Sequence, residues 1–309
     1  MIAAFVNPHS RANRKDPRLA ARLGEALGDA GRIIAPRSLE ALDAEAASLA
    51  EAPPTIIAVH GGDGTLHRTL TALSRAFGER PLPPIAILGG GTMNVVTSSL
   101  GIRARAIPFL ERMAAMTRAG QPPKVIHRRC LRIDGTLGFV FGNGLLANFL
   151  VDYYEGGSYG PARAMWLLCR LFCSALIRGP FVRRVFRRFR GRVTVDGNVL
   201  DFPDLMAVGA ATVREVGMGF KLLHRADDDP ERFAVLAIHA GALALVPDLL
   251  AVRTGRGISP RRAESALAVD LRIEPAEDGT PYTIDGDLYR TKGAMRITIG
   301  PKLAIVDPR

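Results

Sequence analysis

Short apolar segments alternate with amphipathic ones through the first ~120 residues of the chain. The runs Ile2–Val6, Thr55–His60 and Ile85–Leu88 have the continuous apolar or β-branched character of strands that are covered on both faces. Between them, Leu19–Leu27 and Leu66–Phe77 place large apolar residues three or four positions apart, which is the spacing of one helix face. This alternation predicts a three-layer α/β domain with a parallel sheet.

The pattern changes after Gln121-Pro122-Pro123, which we interpret as a linker. A chain of 309 residues is long enough for two domains. From residue 123 onward, short β-type segments separated by turn residues dominate, and they favour a sandwich. We therefore predict an α/β domain over residues 1–122 and a β-rich domain over residues 123–300.

The charge balance indicates what kind of partner the chain binds. Lys and Arg number 41 against 30 Asp and Glu, and the resulting net charge of +11 favours an anionic partner such as a nucleotide or a phospholipid surface. Aromatic residues make up only 6% of the chain, which is few for base stacking, and no nucleic-acid motif accompanies the charge. We expect no nucleic-acid partner.

Targeting and membrane signals are weak in this sequence. The N-terminus lacks the basic region of a signal peptide, and three cysteines without ligand spacing argue against disulfides and zinc. Phe233–Val252 has no Lys or Arg, but it contains His239, Pro247 and Asp248, which are costly inside a bilayer. We interpret it as a buried strand, Phe233–Ile238, followed by a helix, in a cytoplasmic protein.

The loop Gly61-Gly62-Asp63-Gly64-Thr65 lies between a predicted strand and a predicted helix. Glycines let the backbone approach an anion closely, and a helix N-terminus offers N–H groups and a positive dipole end. An acidic residue inside such a loop is favourable where a cation or a proton is present. The alternative is a turn in which Asp63 only caps the helix.

A second loop, Gly89-Gly90-Gly91-Thr92-Met93-Asn94, also follows a strand and precedes a helix. Two loops at the carboxyl ends of strands in one sheet can converge on one ligand. Neither loop has the Gly-Lys-Ser/Thr of a P-loop or the Gly-x-Gly-x-x-Gly of a dinucleotide site. The alternative is a flexible turn capped by Thr92.

Four motifs in order carry a family resemblance: Asn7-Pro8-x-Ser10, Gly61-Gly62-Asp63-Gly64-Thr65, Gly91-Thr92-x-Asn94 and Asp285-Gly286-Asp287. Together they resemble the diacylglycerol kinase catalytic family, which includes bacterial diacylglycerol kinases and the sphingosine and ceramide kinases and is distantly related to NAD kinases. The resemblance implies ATP-dependent phosphorylation of a lipid hydroxyl by an α/β nucleotide-binding domain and a β-sandwich domain. It also implies that a tail over residues 301–309 returns to the first domain.

The resemblance also assigns roles to residues. It implies ATP with Mg²⁺ as cofactors, Asp63 and Asp287 as catalytic residues with Asp287 as the general base, and Asp63 and Asp229 as metal ligands. The residues implied to bind the nucleotide are Asn7, Pro8, Ser10, Gly61, Gly62, Gly64, Thr65, Gly91, Thr92 and Asn94.

The sequence departs from the family at several of these points. Asp287 stands where the family usually has Glu, Arg68 stands where an acidic residue is common, and the stretch matching the family's structural metal loop reads Asp-Asp-Asp-Pro-Glu over residues 227–231. Asp287 alternatively belongs to a hairpin turn. An NAD kinase-like enzyme and a non-catalytic lipid- or nucleotide-binding protein stay open. Gly156–Gly160 matches Gly-x-Ser-x-Gly, but its context is a loop rather than a strand–elbow–helix.

The segment Arg163–Arg192 carries nine arginines, and Gly156–Val195 contains no acidic residue. Apolar residues lie between the arginines at helical spacing, a pattern that suits an anionic bilayer surface. The alternative is a solvated basic face. We expect a lipid substrate (a diacylglycerol, a ceramide or a sphingoid base) and a peripheral location at the inner membrane face. A homodimer stays open.

Overall fold

The computed structural model describes residues 1–91, 94–102, 104–155, 166–167, 170, 184–202, 204–217 and 219–309. The chain divides into two compact units, one of Met1–Arg129 with Pro301–Arg309 and one of Cys130–Gly300. The division falls inside a strand that begins just after the proline linker, a few residues beyond the predicted boundary at 122.

A parallel sheet forms the centre of the first unit. Its strands run in the order β2-β1-β3-β4-β16, and Ile305 of the C-terminal strand pairs in parallel with Ile85, so the tail completes this sheet. All residues of the two central strands are buried, as their apolar sequences predict. The strands are β1 (Ile2–Val6), β2 (Gly31–Ile34), β3 (Ile56–His60), β4 (Ile85–Ile87) and β16 (Met295–Val306).

Helices cover both faces of this sheet. Leu23, Phe109 and Leu110 pack on one face with alternate residues of β1 and β3, whereas Leu66 and Leu70 are buried on another helix. The predicted three-layer α/β arrangement is confirmed. The helices are α1 (Arg11–Lys15), α2 (Leu19–Leu27), α3 (Leu39–Glu51), α4 (Asp63–Phe77), α5 (Val95–Ser99) and α6 (Ala106–Arg118).

Antiparallel strands build the second unit, together with α7 (Leu145–Glu155) and α8 (Leu249–Thr254). One sheet has the order β12-β11-β10-β7-β14-β15, and β13 pairs with β8 and with the first part of β16 in the other. The strands are β5 (Val125–Ile133), β6 (Thr136–Gly138), β7 (Val140–Asn143), β8 (Gly191–Val195), β9 (Asn198–Val199), β10 (Ala207–Ala211), β11 (Phe233–Ile238), β12 (Ala263–Ala268), β13 (Asp270–Pro275), β14 (Pro281–Ile284) and β15 (Asp287–Arg290).

The two sheets of the second unit share one apolar core. Phe141 and Phe233 from one sheet lie in the same buried cluster as Val193, Leu271 and Ile297 from the other. Alternating inward residues on both sheets are the arrangement of a sandwich, so this prediction is also confirmed.

The segment Phe233–Val252 forms the predicted buried strand followed by helical structure. Its first six residues form the fully buried strand β11, and a 3₁₀ segment, Ala242–Asp248, and α8 follow. The helical part is largely exposed rather than packed, with Leu250 at 74% exposure. In the part of the chain that the structure describes, no helix is long and apolar enough to cross a bilayer.

Candidate nucleotide site

The first glycine loop connects the end of β3 to the start of α4. A Cβ atom on Gly61 would lie 2.5 Å from Thr65 Oγ1, and a Cβ on Gly91 would lie 2.4 Å from the Cα of Gly62. Any side chain at these positions would collide with the opposite loop or with α4. The backbone also connects the loops, because Gly90 N–H donates to the Gly61 carbonyl at 2.7 Å. The two predicted loops therefore converge.

The second loop closes on itself through Asn94. Gly91 N–H donates to Asn94 Oδ1 at 3.0 Å, and Asn94 has a left-handed backbone with φ 49°. Asparagine tolerates this conformation better than most residues. Thr92 and Met93 lie outside the described residues, so the predicted contribution of Thr92 stays a prediction.

The Asn7 motif joins the same cluster from the end of β1. Asn7 Nδ2 donates to Thr65 Oγ1 at 2.8 Å, and Asn13 Nδ2 donates to the Asn7 carbonyl at 2.6 Å. The buried Ser10 caps α1 by accepting the Asn13 N–H at 3.3 Å, and Pro8 is half-buried beside it. Three predicted motifs thus lie together at the carboxyl edge of the parallel strands.

Asp63, the first residue of α4, contacts the start of another helix. Its carboxylate accepts the N–H of Val95 at 2.9 Å and the N–H of Val96 at 3.1 Å. Asn94 occupies the N-cap position of α5 without a side-chain bond to it, so Asp63 supplies the cap. The sequence suggested that Asp63 caps its own helix, and nothing in the sequence indicated that Val95 and Val96 would be its partners.

The edge of the sheet fits an anion and one cation. Glycine backbone and the N-terminus of the 15-residue α4 suit phosphate groups. Asp63 places a carboxylate, the ligand type that Mg²⁺ prefers, beside the glycine loops. Within the described residues, no group of three His, Cys, Asp or Glu side chains is placed to hold a metal. Mg²⁺ commonly needs only one or two carboxylates when phosphates supply other ligands.

His60, the last residue of β3, lies beneath the two loops. It is 1% exposed, and a Cβ on Gly90 would lie 2.8 Å from its Nε2 atom. Burial lowers the pKa of this imidazole, which favours the neutral form.

The motif Asp285-Gly286-Asp287 forms a hairpin turn in the second unit. Asp285 and Gly286 have φ values of 48° and 86°, as in a two-residue type I′ turn, and Ile284 pairs with Asp287. The buried Asp285 carboxylate accepts the N–H of Val140 at 2.8 Å. Asp287 is half-buried at the start of β15, a strand that the sequence did not predict. Its role as a base stays a prediction.

The acidic loop that contains Asp229 is neutralised by arginines. Asp229 Oδ2 lies 3.6 Å from Arg232 Nε, and its Oδ1 accepts the Glu231 N–H at 2.9 Å. Asp227 pairs with Arg214 at 2.7 Å. These contacts add no support for Asp229 as a metal ligand, which stays a prediction.

Other sequence features fall where the structure describes little. The Gly156–Gly160 motif, Cys169 and Cys173 lie outside the described residues, as does most of Arg163–Arg183. The remaining cysteine, Cys130, is buried.

The chain thus combines an α/β unit, in which two glycine loops are in contact at the carboxyl edge of the sheet, with an antiparallel sandwich. Residues 1–121 match the family model described as the diacylglycerol kinase catalytic domain. This match confirms the resemblance over the residues that contain the first three motifs, whereas Asp285-Gly286-Asp287 lies outside the matched range. A search of curated proteins finds no match.

Solved structures agree with this fold. A diacylglycerol kinase from Bacillus anthracis str. Sterne is 15% identical with a TM-score of 0.65, covering 99% of this chain and 96% of its own. A second structure, assigned to the same activity and from the same strain, is 16% identical with a TM-score of 0.70, at 99% and 96% coverage. The likeness extends over both units and concerns the fold.

Proposed function

We propose that this chain is an ATP-dependent lipid kinase, which transfers the γ-phosphoryl group to a hydroxyl of an amphiphilic lipid. The observation that carries the proposal is the backbone contact between the Gly62 and Gly91 loops. It lies inside the segment that matches the diacylglycerol kinase catalytic domain. Because glycines have no side chains, phosphate oxygens can approach the main-chain N–H groups of these loops.

The residues around the loops would hold the phosphates in one orientation. Thr65 is fixed by the Asn7 amide, and the Asp63 carboxylate fixes the start of α5. Phosphoryl transfer depends mostly on positioning and charge stabilisation, so a rigid cradle is the contribution it needs from a protein.

A magnesium ion would neutralise charge on the transferred phosphoryl group. Asp63 is the carboxylate of the cradle that would hold it, next to the N–H groups of Val95 and Val96 at the start of α5. The carboxylate would then do two things at once: cap α5 and fix the cation beside the phosphates.

The acceptor hydroxyl needs a carboxylate to receive its proton. We assign this role to Asp287, on the resemblance of the Asp285-Gly286-Asp287 motif to the family. The Asp285 carboxylate accepts the backbone N–H groups of Phe139 and Val140, so its role in the motif is to hold the hairpin. A carboxylate positioned on the hydroxyl accepts the proton as the transition state forms.

The acceptor lipid lies in a bilayer, and we propose an anionic membrane surface as the partner of Arg163–Arg192. Among the described arginines of that segment, Arg188 pairs with Asp204 at 2.6 Å and Arg184 with Asp152 at 3.0 Å. Arg190 and Arg192 are exposed and suit lipid phosphates better.

Labelled ATP tests the proposal directly. The full chain is incubated with γ-labelled ATP, Mg²⁺ and mixed vesicles that contain diacylglycerol, ceramide or a sphingoid base, with soluble NAD in a separate reaction. We expect one new labelled phospholipid, absent with the Asp287→Asn variant. Labelled NADP alone would favour the NAD kinase alternative, and nucleotide binding without any labelled product would favour a non-catalytic protein.

A further inference from the structure

A second surface of the sandwich unit has the composition of a membrane-contacting element. We propose that the segment Leu243–Leu250, here called the apolar ridge, inserts into the interface of an anionic bilayer. This inference rests on the proposed function, because it names the surface from which a lipid kinase would reach its substrate. It concerns residues other than the arginine-rich segment.

The ridge is a contiguous set of exposed apolar side chains rather than a scatter of single ones. The exposures are 55% for Leu243, 42% for Val246, 49% for Leu249 and 74% for Leu250. These residues occur at intervals of three, three and one along the 3₁₀ segment and α8, so they share one side. Contiguous exposed apolar surface is uncommon on proteins without a partner for it.

Buried contacts hold the ridge on the sandwich unit. Asp248 is buried and accepts two hydrogen bonds from Arg262 Nη1 at 3.0 Å each, and Val252 is buried on the next turn. The polar and apolar anchors hold the segment in place with its leucines outward. The exposure is therefore a property of the folded unit, and it would present the leucines to a flat surface.

The charges around the ridge select an anionic partner. Between Ala240 and Arg262, the only acidic residue is Asp248, and its charge is compensated internally by Arg262. Three arginines in this segment are exposed: Arg253, Arg256 and Arg261. Apolar side chains beside exposed cations match the acyl boundary and the phosphate layer of a bilayer. To bind the ridge in place of a bilayer, a protein partner would need an exposed apolar patch surrounded by acidic residues.

Vesicle sedimentation of the full chain, without nucleotide, tests the ridge. The probes are vesicles of phosphatidylcholine alone and of phosphatidylcholine with about 30% phosphatidylglycerol. We expect the Leu249→Ser/Leu250→Ser double variant to lower the partition onto the anionic vesicles about tenfold or more, since burying one leucine is worth about tenfold. The matched control is Val199→Ser, because Val199 is 56% exposed on β9 of the same unit. It should bind like the wild type.

The arginines provide a second, independent variant. Arg256→Gln/Arg261→Gln should weaken binding at low salt and have little effect at high salt, whereas the leucine variant should weaken binding at both. All three variants alter exposed side chains, so equal melting temperatures verify that each is folded. Because no nucleotide or lipid acceptor is present, a failed kinase assay does not decide this test.

Two outcomes would overturn the inference. One is a leucine variant that binds anionic vesicles as tightly as the wild type. The other is a wild-type chain that does not bind anionic vesicles at all. In that case light scattering can still show a dimer in the wild type that the leucine variant dissociates. That last result would assign the ridge to a second copy of the chain.

Discussion

The Asp63 carboxylate accepts the backbone N–H of Val95 over 2.9 Å, so the first residue of α4 caps the first turn of α5. The bond joins the helices that follow the two glycine loops. It gives Asp63 a structural role beside the catalytic and metal-binding roles proposed for it, and the two kinds of role respond differently to substitution.

Two variants separate the roles of Asp63. Asp63→Asn keeps one acceptor oxygen for the N–H groups of Val95 and Val96, whereas Asp63→Ala removes both, so the Ala variant should lose more stability, by about 1 kcal/mol. If the charge also serves the phosphates, both variants should lose about 100-fold or more in turnover. Thermal melts and initial rates on the same preparations measure both. An Asn variant that keeps more than about a tenth of the turnover would restrict Asp63 to capping.

The hydroxyl of Thr65 receives the Asn7 amide at 2.8 Å, and this contact has its own test. Thr65→Val keeps the shape and removes the acceptor, so we expect a several-fold rise in the KM for ATP, in line with about 1 kcal/mol for one hydrogen bond. Thr71→Val is the control, since Thr71 Oγ1 bonds to the His67 carbonyl inside α4. A rise in KM for Thr71→Val of the same size would mean that α4 stability, and not the loop contact, is being measured.

Asp285 and Asp287 form a matched pair for the hairpin. The buried Asp285 carboxylate holds Phe139 and Val140 N–H groups, so Asp285→Ala should cost about 1–3 kcal/mol of stability. Asp287→Asn keeps the size of the side chain, so it should cost less stability than Asp285→Ala, and it should lower kcat about 10²–10⁴-fold, with partial recovery in Asp287→Glu. Denaturant melts and steady-state rates measure the two effects. Equal rates for wild type and Asp287→Asn would make Asp287 a turn residue.

The fold was largely predictable because its signals are local. Apolar runs such as Ile2–Val6 indicate strands that are covered on both faces, and the leucine spacing over Leu66–Phe77 indicates one face of a helix. The sequence did not predict strand β15, because apolar and polar residues alternate only weakly over Asp287–Arg290. Its extended conformation depends on pairing with β14. The exposed ridge was missed as well, because an apolar helix looks the same in sequence whether it packs or protrudes.

The candidate site was predictable in its location and less so in its contacts. Glycine loops after strands indicate where two backbones approach each other closely. The contact between Gly62 and Gly91 is such a close approach. The Asp63–Val95 and Asn7–Thr65 bonds join residues far apart in sequence, and only the register of the sheet brings them together. The roles of Asp229 and Asp287 rest on the family resemblance.

The arginine-rich segment calls for a selective variant. Arg188 bonds to Asp204 and to the His239 carbonyl, so its replacement should destabilise the sandwich unit. Arg190→Gln/Arg192→Gln changes two exposed side chains instead, and we expect weaker binding to anionic vesicles that converges on wild-type binding as salt rises. Sedimentation at low and high salt measures this. Unchanged binding at low salt would indicate a solvated basic face, the alternative for this segment.

The buried His60 gives the first unit a pH dependence of known sign. Burial lowers the pKa of its imidazole below the ordinary value of about 6.5, and its Nδ1 atom has no hydrogen-bond partner among the residues that the structure describes. The unfolded chain therefore takes up this proton at a higher pH than the folded one. Stability should be unaffected above about pH 6.5 and should fall as the pH decreases below it.

Melting temperatures at pH 7.5 and pH 5.5 measure the effect, in the wild type and in His60→Gln. The variant has no titrating group at this position, so its melting temperature should fall less between the two pH values, whatever its stability at pH 7.5. His224, whose pKa is also lowered chiefly by burial, is retained in both proteins and contributes equally to both. Identical falls in the two proteins would show that His60 keeps its ordinary pKa in the folded chain, and that the space beneath the glycine loops admits a charged imidazole.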